Sequence, residues 1–163
     1  MDKRISDLLA IIRKEIRIIR DLVEHAKNKT ALLAQGQIEA ILESNRAEEA
    51  LNTDLRFLEK ERKRLCSDLC LSFGIKREEF TFLKFADYLG QPAALELETE
   101  TALFSDILKQ LKAVTQRNAR LTEMSLRYSN GLLGIITSAT NPYQRTGLFR
   151  PVPFMQPTFS HRV

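Results

Sequence analysis

Four of the five prolines in this 163-residue chain stand at positions 142, 151, 153 and 157, within its last 22 residues. Before residue 140 only Pro92 and five scattered glycines break the chain. Proline removes a helix donor and clashes with the preceding turn, and glycine weakens a helix through backbone entropy. So long a stretch poor in both does not suit a many-stranded β fold, whose frequent turns need these residues. It suits long helices.

The apolar positions say the same. Ile5, Leu9, Ile12, Ile16, Ile19, Val23, Ala26, Thr30 and Leu33 step 4-3-4-3, and Leu8, Ile11, Ile18 and Leu22 form a second stripe beside them. A face that wide predicts an amphipathic helix packed against more than one neighbour. The phase breaks at Gln35-Gly36, which predicts a kink or a short turn. A second helix is expected from about Gln37 to Phe73, stopped by Gly74. Its stripe is weak through Ile38, Ile41, Asn45 and Glu48, then firm through Leu51, Leu55, Leu58, Leu65 and Leu69.

Phe80, Phe82, Leu83, Phe85 and Leu89 crowd a short connection, in which Thr81 is placed to cap a helix ending at Gly90. Such an aromatic cluster would plug one end of a bundle. Pro92 suits the first turn of a third long helix. That helix carries Phe104, Ile107, Leu111, Val114, Asn118, Leu121, Ser125, Tyr128, Leu132 and Ile135 on one stripe, and Asn141-Pro142 should end it. From Pro92 to Thr140 such a helix would run roughly 70 Å. The expected fold is all-α: an elongated antiparallel helical bundle or coiled coil of three long helices, with a short connecting helix and an irregular C-terminal tail. The expected division is a bundle over 1–139 and a flexible, proline-containing, partner-binding tail over 140–163.

The side chains that carry chemistry are scarce. Two cysteines, two histidines and no tryptophan leave little for catalysis, and no glycine-rich phosphate loop, Ser/His/Asp spacing or pair of Glu-x-x-His motifs is present. No catalytic residue, metal ligand or cofactor is assigned. Cys66 and Cys70 lie four apart on one helix, at a Cβ separation of about 5–6 Å, beyond the span of a disulfide. No second Cys or His pair completes a metal shell, so both read as small buried hydrophobes. Asn118, on a core stripe, reads as a polar residue that sets register.

The net charge of +4 is mild and the signs are interleaved, which argues against a nucleic-acid module. Arg13, Arg17 and Arg20, diluted by Glu15, Asp21 and Glu24, and the run Glu59 to Arg64 both read as solvated helix faces. A basic helix lying on a membrane or nucleic acid is the weaker reading. The apolar run Leu8–Ile12 is too short for a signal peptide or a membrane span. The expected compartment is the cytosol, where the thiols stay reduced. Residues 140–163 hold three arginines and no acid, along with Leu148, Phe149, Phe154, Met155 and Phe159. Apolar anchors in a chain that cannot form a long helix read as a tail that binds a partner.

Several stretches carry a family likeness. One is Lys29-Thr30-Ala31-Leu32-Leu33-Ala34-Gln35-Gly36, leading into Gln37-Ile38-Glu39-Ala40-Ile41. A second is Leu55-Arg56-Phe57-Leu58-Glu59-Lys60-Glu61-Arg62-Lys63-Arg64-Leu65. The most specific is Asn118-Ala119-Arg120-Leu121 through Ser125-Leu126-Arg127-Tyr128, with Leu132 and Leu133 after it and Tyr143-Gln144-Arg145-Thr146-Gly147 in the tail. Together they resemble the flagellar export chaperone family FlgN; the segment Phe149 to Phe154 is more proline-rich and aromatic than that family's tails.

The resemblance implies a non-enzymatic, cytoplasmic type III export chaperone without a cofactor. Such a chaperone binds the C-terminal helices of hook–filament junction proteins, prevents their premature assembly and delivers them to the export gate. It further implies that Leu126, Leu132, Leu133, Ile135, Ile136, Leu148 and Phe149 contact the client. Tyr143, with Gly147, would dock on the cytoplasmic domain of the gate. Neither nucleic acid nor stable membrane insertion belongs to this reading, and the same stripes could pair in a homodimer. The alternative is a structural coiled-coil adaptor whose Pro/Phe-rich tail, through Pro151-Val152-Pro153, is a short-motif ligand.

Overall fold

The computed structural model describes the backbone of residues 3–140 and side chains as far as residue 136. Its elements are α1 (Lys3–Gln35), α2 (Ile38–Phe73), a 3-10 turn (Arg77–Glu79), α3 (Phe82–Ala86) and α4 (Ala93–Thr140), with no strand among the described residues. The chain divides into two units, Met1–Leu121 and Thr122–Val163. The helical bundle described next belongs to the first.

Gly36 ends α1 as a turn rather than a kink. It takes the left-handed conformation, with φ at 66°, which a residue bearing Cβ resists. Its N–H bonds to the Leu33 carbonyl at 3.3 Å and that of Gln37 to Leu32 at 3.1 Å. This paired pattern closes the open carbonyls of a helix end. The Gln37 carbonyl already accepts from Ile41, so two residues suffice to reverse the chain. Gly74 stops α2 in the same way, with φ at 67°, and Ile75 N–H returns to the Cys70 carbonyl.

Paired positions then step symmetrically away from Gly36: Lys29 with Glu48, Glu15 with Arg62, Arg4 with Ser72. α1 and α2 are therefore antiparallel. In contrast, α4 runs parallel to α1. Arg13 pairs with Glu96 and Glu100, Ile19 and Val23 pack with Ile107, and Ala26 and Thr30 meet Asn118.

Burial concentrates at the end away from the Gly36 turn. There Ile5, Leu8, Leu9 and Ile12 of α1 pack with Leu69, Phe85 and Leu97. The aromatic plug forms as expected: the Phe73 and Phe85 rings meet edge to face at 5.3 Å, and Phe80 lies 5.5 Å from Phe85. Leu83, however, points to solvent. The helix capped by Thr81 is shorter than expected, because α3 stops at Ala86 and turns carry the chain to Gly90. Thr81 Oγ1 does accept the Lys84 N–H, at 3.2 Å. Pro92 stands just before α4, its carbonyl accepting from Glu96 N–H at 3.1 Å, so its missing donor is harmless there. Toward the turn the packing loosens. Ile38 and Asn45 are exposed, and Leu69 and Cys70 are the only described residues of α2 that are fully buried.

Two buried polar residues, among those described, link helices across the bundle. Asn118 is buried, as a register residue should be: its Nδ2 donates to the Ala26 carbonyl at 2.7 Å and its Oδ1 accepts from Thr30 Oγ1 at 2.6 Å. The second departs from expectation. Glu15 is not on a solvated face but 1% exposed, and Arg62 leaves the charged run to meet it, its Nε donating at 2.8 and 3.1 Å to both carboxylate oxygens. The guanidinium also lies 5.9 Å and 5.6 Å from the Phe82 and Phe104 ring centres, within cation–π range. Burial pushes the Glu15 carboxyl above its usual value, with Arg62 opposing and Glu59 adding to the rise. Arg13, Arg17 and Arg20 are all exposed, as a solvated face requires, and Arg13 makes surface ion pairs with Glu96 and Glu100 of α4.

Candidate functional site

From Thr122 to Ile136 every described side chain is exposed. That is unusual for a segment with this composition. Met124, Leu126, Tyr128, Leu132, Leu133, Ile135 and Ile136 all lie on this stretch of α4, with Tyr128 71% and Leu132 42% exposed. Single exposed apolar residues are ordinary, whereas a contiguous run of them marks an interaction surface.

Helical geometry sorts the run. At about 100° per residue, Met124, Tyr128, Leu132, Ile135 and Ile136 share an arc of about 120°, and Leu126 with Leu133 extends it to about 200°. One neighbouring helix covers a stripe of about 100°, so the surface offers contact to more than one packing partner. The remaining arc carries Arg127, Asn130, Gly131 and Gly134. Arg127 pairs with Glu123 at 2.6 Å, one turn earlier, and this pair supplies the only ionisable groups in the described stretch apart from Tyr128. Its chemistry is apolar packing, with the Tyr128 hydroxyl as a polar handle.

The five client-contact residues expected on α4, Leu126, Leu132, Leu133, Ile135 and Ile136, thus fall together within three helical turns and are exposed. Leu148, Phe149, Tyr143 and Gly147 lie outside the described residues. The cysteines sit in the first unit, Cys70 buried and Cys66 half-buried, both free. Among the described residues no group of three His, Cys, Asp or Glu side chains is placed to hold a metal, and no described helix is long and apolar enough to cross a membrane.

The order of these elements, a two-residue helical hairpin followed by a long helix that ends in an exposed apolar run, accompanies a family match. The sequence model of the family described as FlgN protein matches residues 1–150. The chain belongs to the FlgN family. No curated protein and no solved structure matches it. FlgN-family chains are flagellar export chaperones, and the matched range includes the whole exposed stretch of α4 together with positions 143 and 147–149.

Two residues that hold this FlgN bundle together were hidden in its charged positions. Glu15 stands seven residues from both Leu8 and Leu22, and Arg62 seven from both Leu55 and Leu69. A charge at a heptad position that is apolar on either side is the signal that identifies such a pair.

Proposed function

We propose that this FlgN-family chain is a cytoplasmic chaperone of hook–filament junction proteins, covering the apolar faces of their C-terminal helices until export. The observation that carries the proposal is the uninterrupted exposed run from Met124 to Ile136. An amphipathic client helix would aggregate or assemble with its face uncovered, and helix-in-groove packing on α4 covers it without any chemical step. In this reading Leu126, Leu132, Leu133, Ile135 and Ile136 hold the client, with Leu148 and Phe149 extending the contact. Residues 140–163 form the partner-binding tail, in which Tyr143 and Gly147 dock on the cytoplasmic domain of the export gate.

Titration calorimetry of the full chain with a C-terminal helical fragment of a hook–filament junction protein tests this. Saturable binding with a negative heat-capacity change is expected, and Leu126→Asp with Ile135→Asp should weaken it at least about tenfold, since each buries a charge in an apolar contact. Far-UV circular dichroism of the double variant should match that of the parent. No binding at high micromolar concentration to a monomeric, soluble fragment, or binding untouched by the two substitutions, would overturn the proposal.

A further inference from the structure

A cleft of about 300 Å³ opens between the C-terminal turns of α2 and the Arg77–Phe82 connection, within the first unit. Its lining separates into two kinds of surface. The rings of Phe80 and Phe82 and the thiols of Cys66 and Cys70 are apolar, whereas Arg62, Lys63 and Arg77 are cationic, and no carboxylate lines it.

The cations differ in how far they are committed. Arg62 is held by Glu15. Lys63 pairs with Glu59 one turn back on an exposed surface, a contact that solvent makes weak. Arg77 is exposed and has no carboxylate partner among the described residues. Thr81 Oγ1 accepts the Lys84 N–H, which leaves its hydroxyl proton to donate into the cleft. Burial pushes the Cys66 thiol up to about 11 against the pull of Arg62, so that thiol stays neutral and adds no negative charge to the cleft at neutral pH.

We propose that this cleft binds a peptide segment of a protein partner presenting a carboxylate beside an apolar side chain. The carboxylate meets Arg77 and Lys63, with Thr81 donating, and the apolar group lies on Phe80, Phe82 and the thiols. Charge complementarity commits the occupant, because Arg77, without a carboxylate partner among the described residues, and Lys63, held only by an exposed pair with Glu59, converge with the Thr81 hydroxyl on a cleft that no carboxylate lines. The size commits it to a side-chain pair, since about 300 Å³ is at the lower limit of small-molecule sites. The inference is independent of client binding on α4.

The test is amide chemical-shift mapping of the 15N-labelled full chain with the capped peptide Ac-Glu-Leu-Glu-Phe-NH2. Its Gln-Leu-Gln-Phe counterpart and free phenylacetate serve as separate arms. Shifts centred on Lys63, Ser67, Arg77 and Phe82, weakening as salt rises, are expected with the acidic peptide. Arg77→Gln and Lys63→Gln should each weaken binding up to about fivefold, the range of an exposed ion pair. Lys60→Gln, on the same helix but outside the cleft, should leave it unchanged. The proposal is overturned by the absence of shifts at millimolar peptide, by equal binding of the glutamine peptide, or by equal loss in Lys60→Gln. Phenylacetate binding as tightly as the peptide would overturn the peptide assignment.

Discussion

Replacing Arg62 with leucine tests the buried ion pair between α1 and α2. In the native bundle the Glu15 carboxylate is 1% exposed and receives both of its described hydrogen bonds from Arg62 Nε, at 2.8 and 3.1 Å. Leucine at position 62 fills the space but leaves a buried carboxylate with no cation. Breaking one side of a buried pair in this way costs about 3–5 kcal/mol, and losing the contacts with the Phe82 and Phe104 rings adds up to about 1 kcal/mol for each. Against a typical total of about 5–15 kcal/mol this is a large fraction, and the melting temperature should fall by about 10 °C or more.

The pH dependence carries the diagnostic sign. Desolvation already raises the folded-state pKa of Glu15 above the ordinary carboxyl value of 4.5, with Arg62 pulling it down. A carboxyl raised on folding binds more protons in the native state, so its contribution to stability falls as pH rises from the unfolded to the folded pKa. Without Arg62 the carboxyl rises further, and Arg62→Leu should regain stability on acidification from neutral pH toward 4.5. Glu15→Leu combined with Arg62→Leu removes both charges and should recover most of the loss. Urea unfolding followed by circular dichroism measures both variants beside the parent. A loss below about 1 kcal/mol for the single variant, a stability flat with pH, or a double variant as weak as the single would each refute the role given to this pair.

Asn118→Leu strips the Ala26 carbonyl and the Thr30 hydroxyl of a shared partner and should cost about 1–2 kcal/mol by the same urea assay. Gly74→Ala meets no neighbour within 4 Å, so its expected loss of about 1 kcal/mol is purely the strain of Cβ at positive φ. Cys66, pushed up to about 11 by burial, should alkylate slowly with iodoacetamide at pH 8 and at the rate of an ordinary thiol once urea unfolds the chain. Deleting residues 140–163 should leave helical content and melting temperature nearly unchanged while weakening client binding or gate docking. Tyr143→Ala should lower docking to the gate domain and spare the client; lost client affinity in that variant would refute the division of roles.

The helix boundaries were legible because glycine is decisive where a positive φ is required, as at Gly36 and Gly74. The aromatic plug and the buried Asn118 were legible for a related reason, since each interrupts or crowds a periodic stripe. Glu15 and Arg62 were not, because reading charge as solvation overrode their heptad positions. The short α3 was overestimated since a capping threonine announces where a helix starts, while its end at Ala86 is set by packing of Phe85 against α1 and α2. The cleft beside Arg77 has no sequence signature at all. It exists because the connection folds back on α2, a tertiary event that no local pattern encodes.

The stripe on α4 shows the deeper limit. Its 3-4 spacing continues from Ile107 through Asn118 to Leu132 and Ile135 without a change of period. In the structure Ile107 and Asn118 are buried, while Tyr128, Leu132 and Ile135 are exposed. Periodicity reports that a helix face must be covered, not whether its own chain or another molecule covers it. The distinguishing feature is compositional. Gly131, Gly134, Ser129 and Asn130 are poor helix formers, so the exposed stretch has less intrinsic helix stability than the bundle and gains the most from a partner that packs on it. A client helix bound to α4 should therefore raise amide hydrogen-exchange protection between residues 122 and 136. Protection in that stretch unchanged at saturating client would place the binding surface elsewhere.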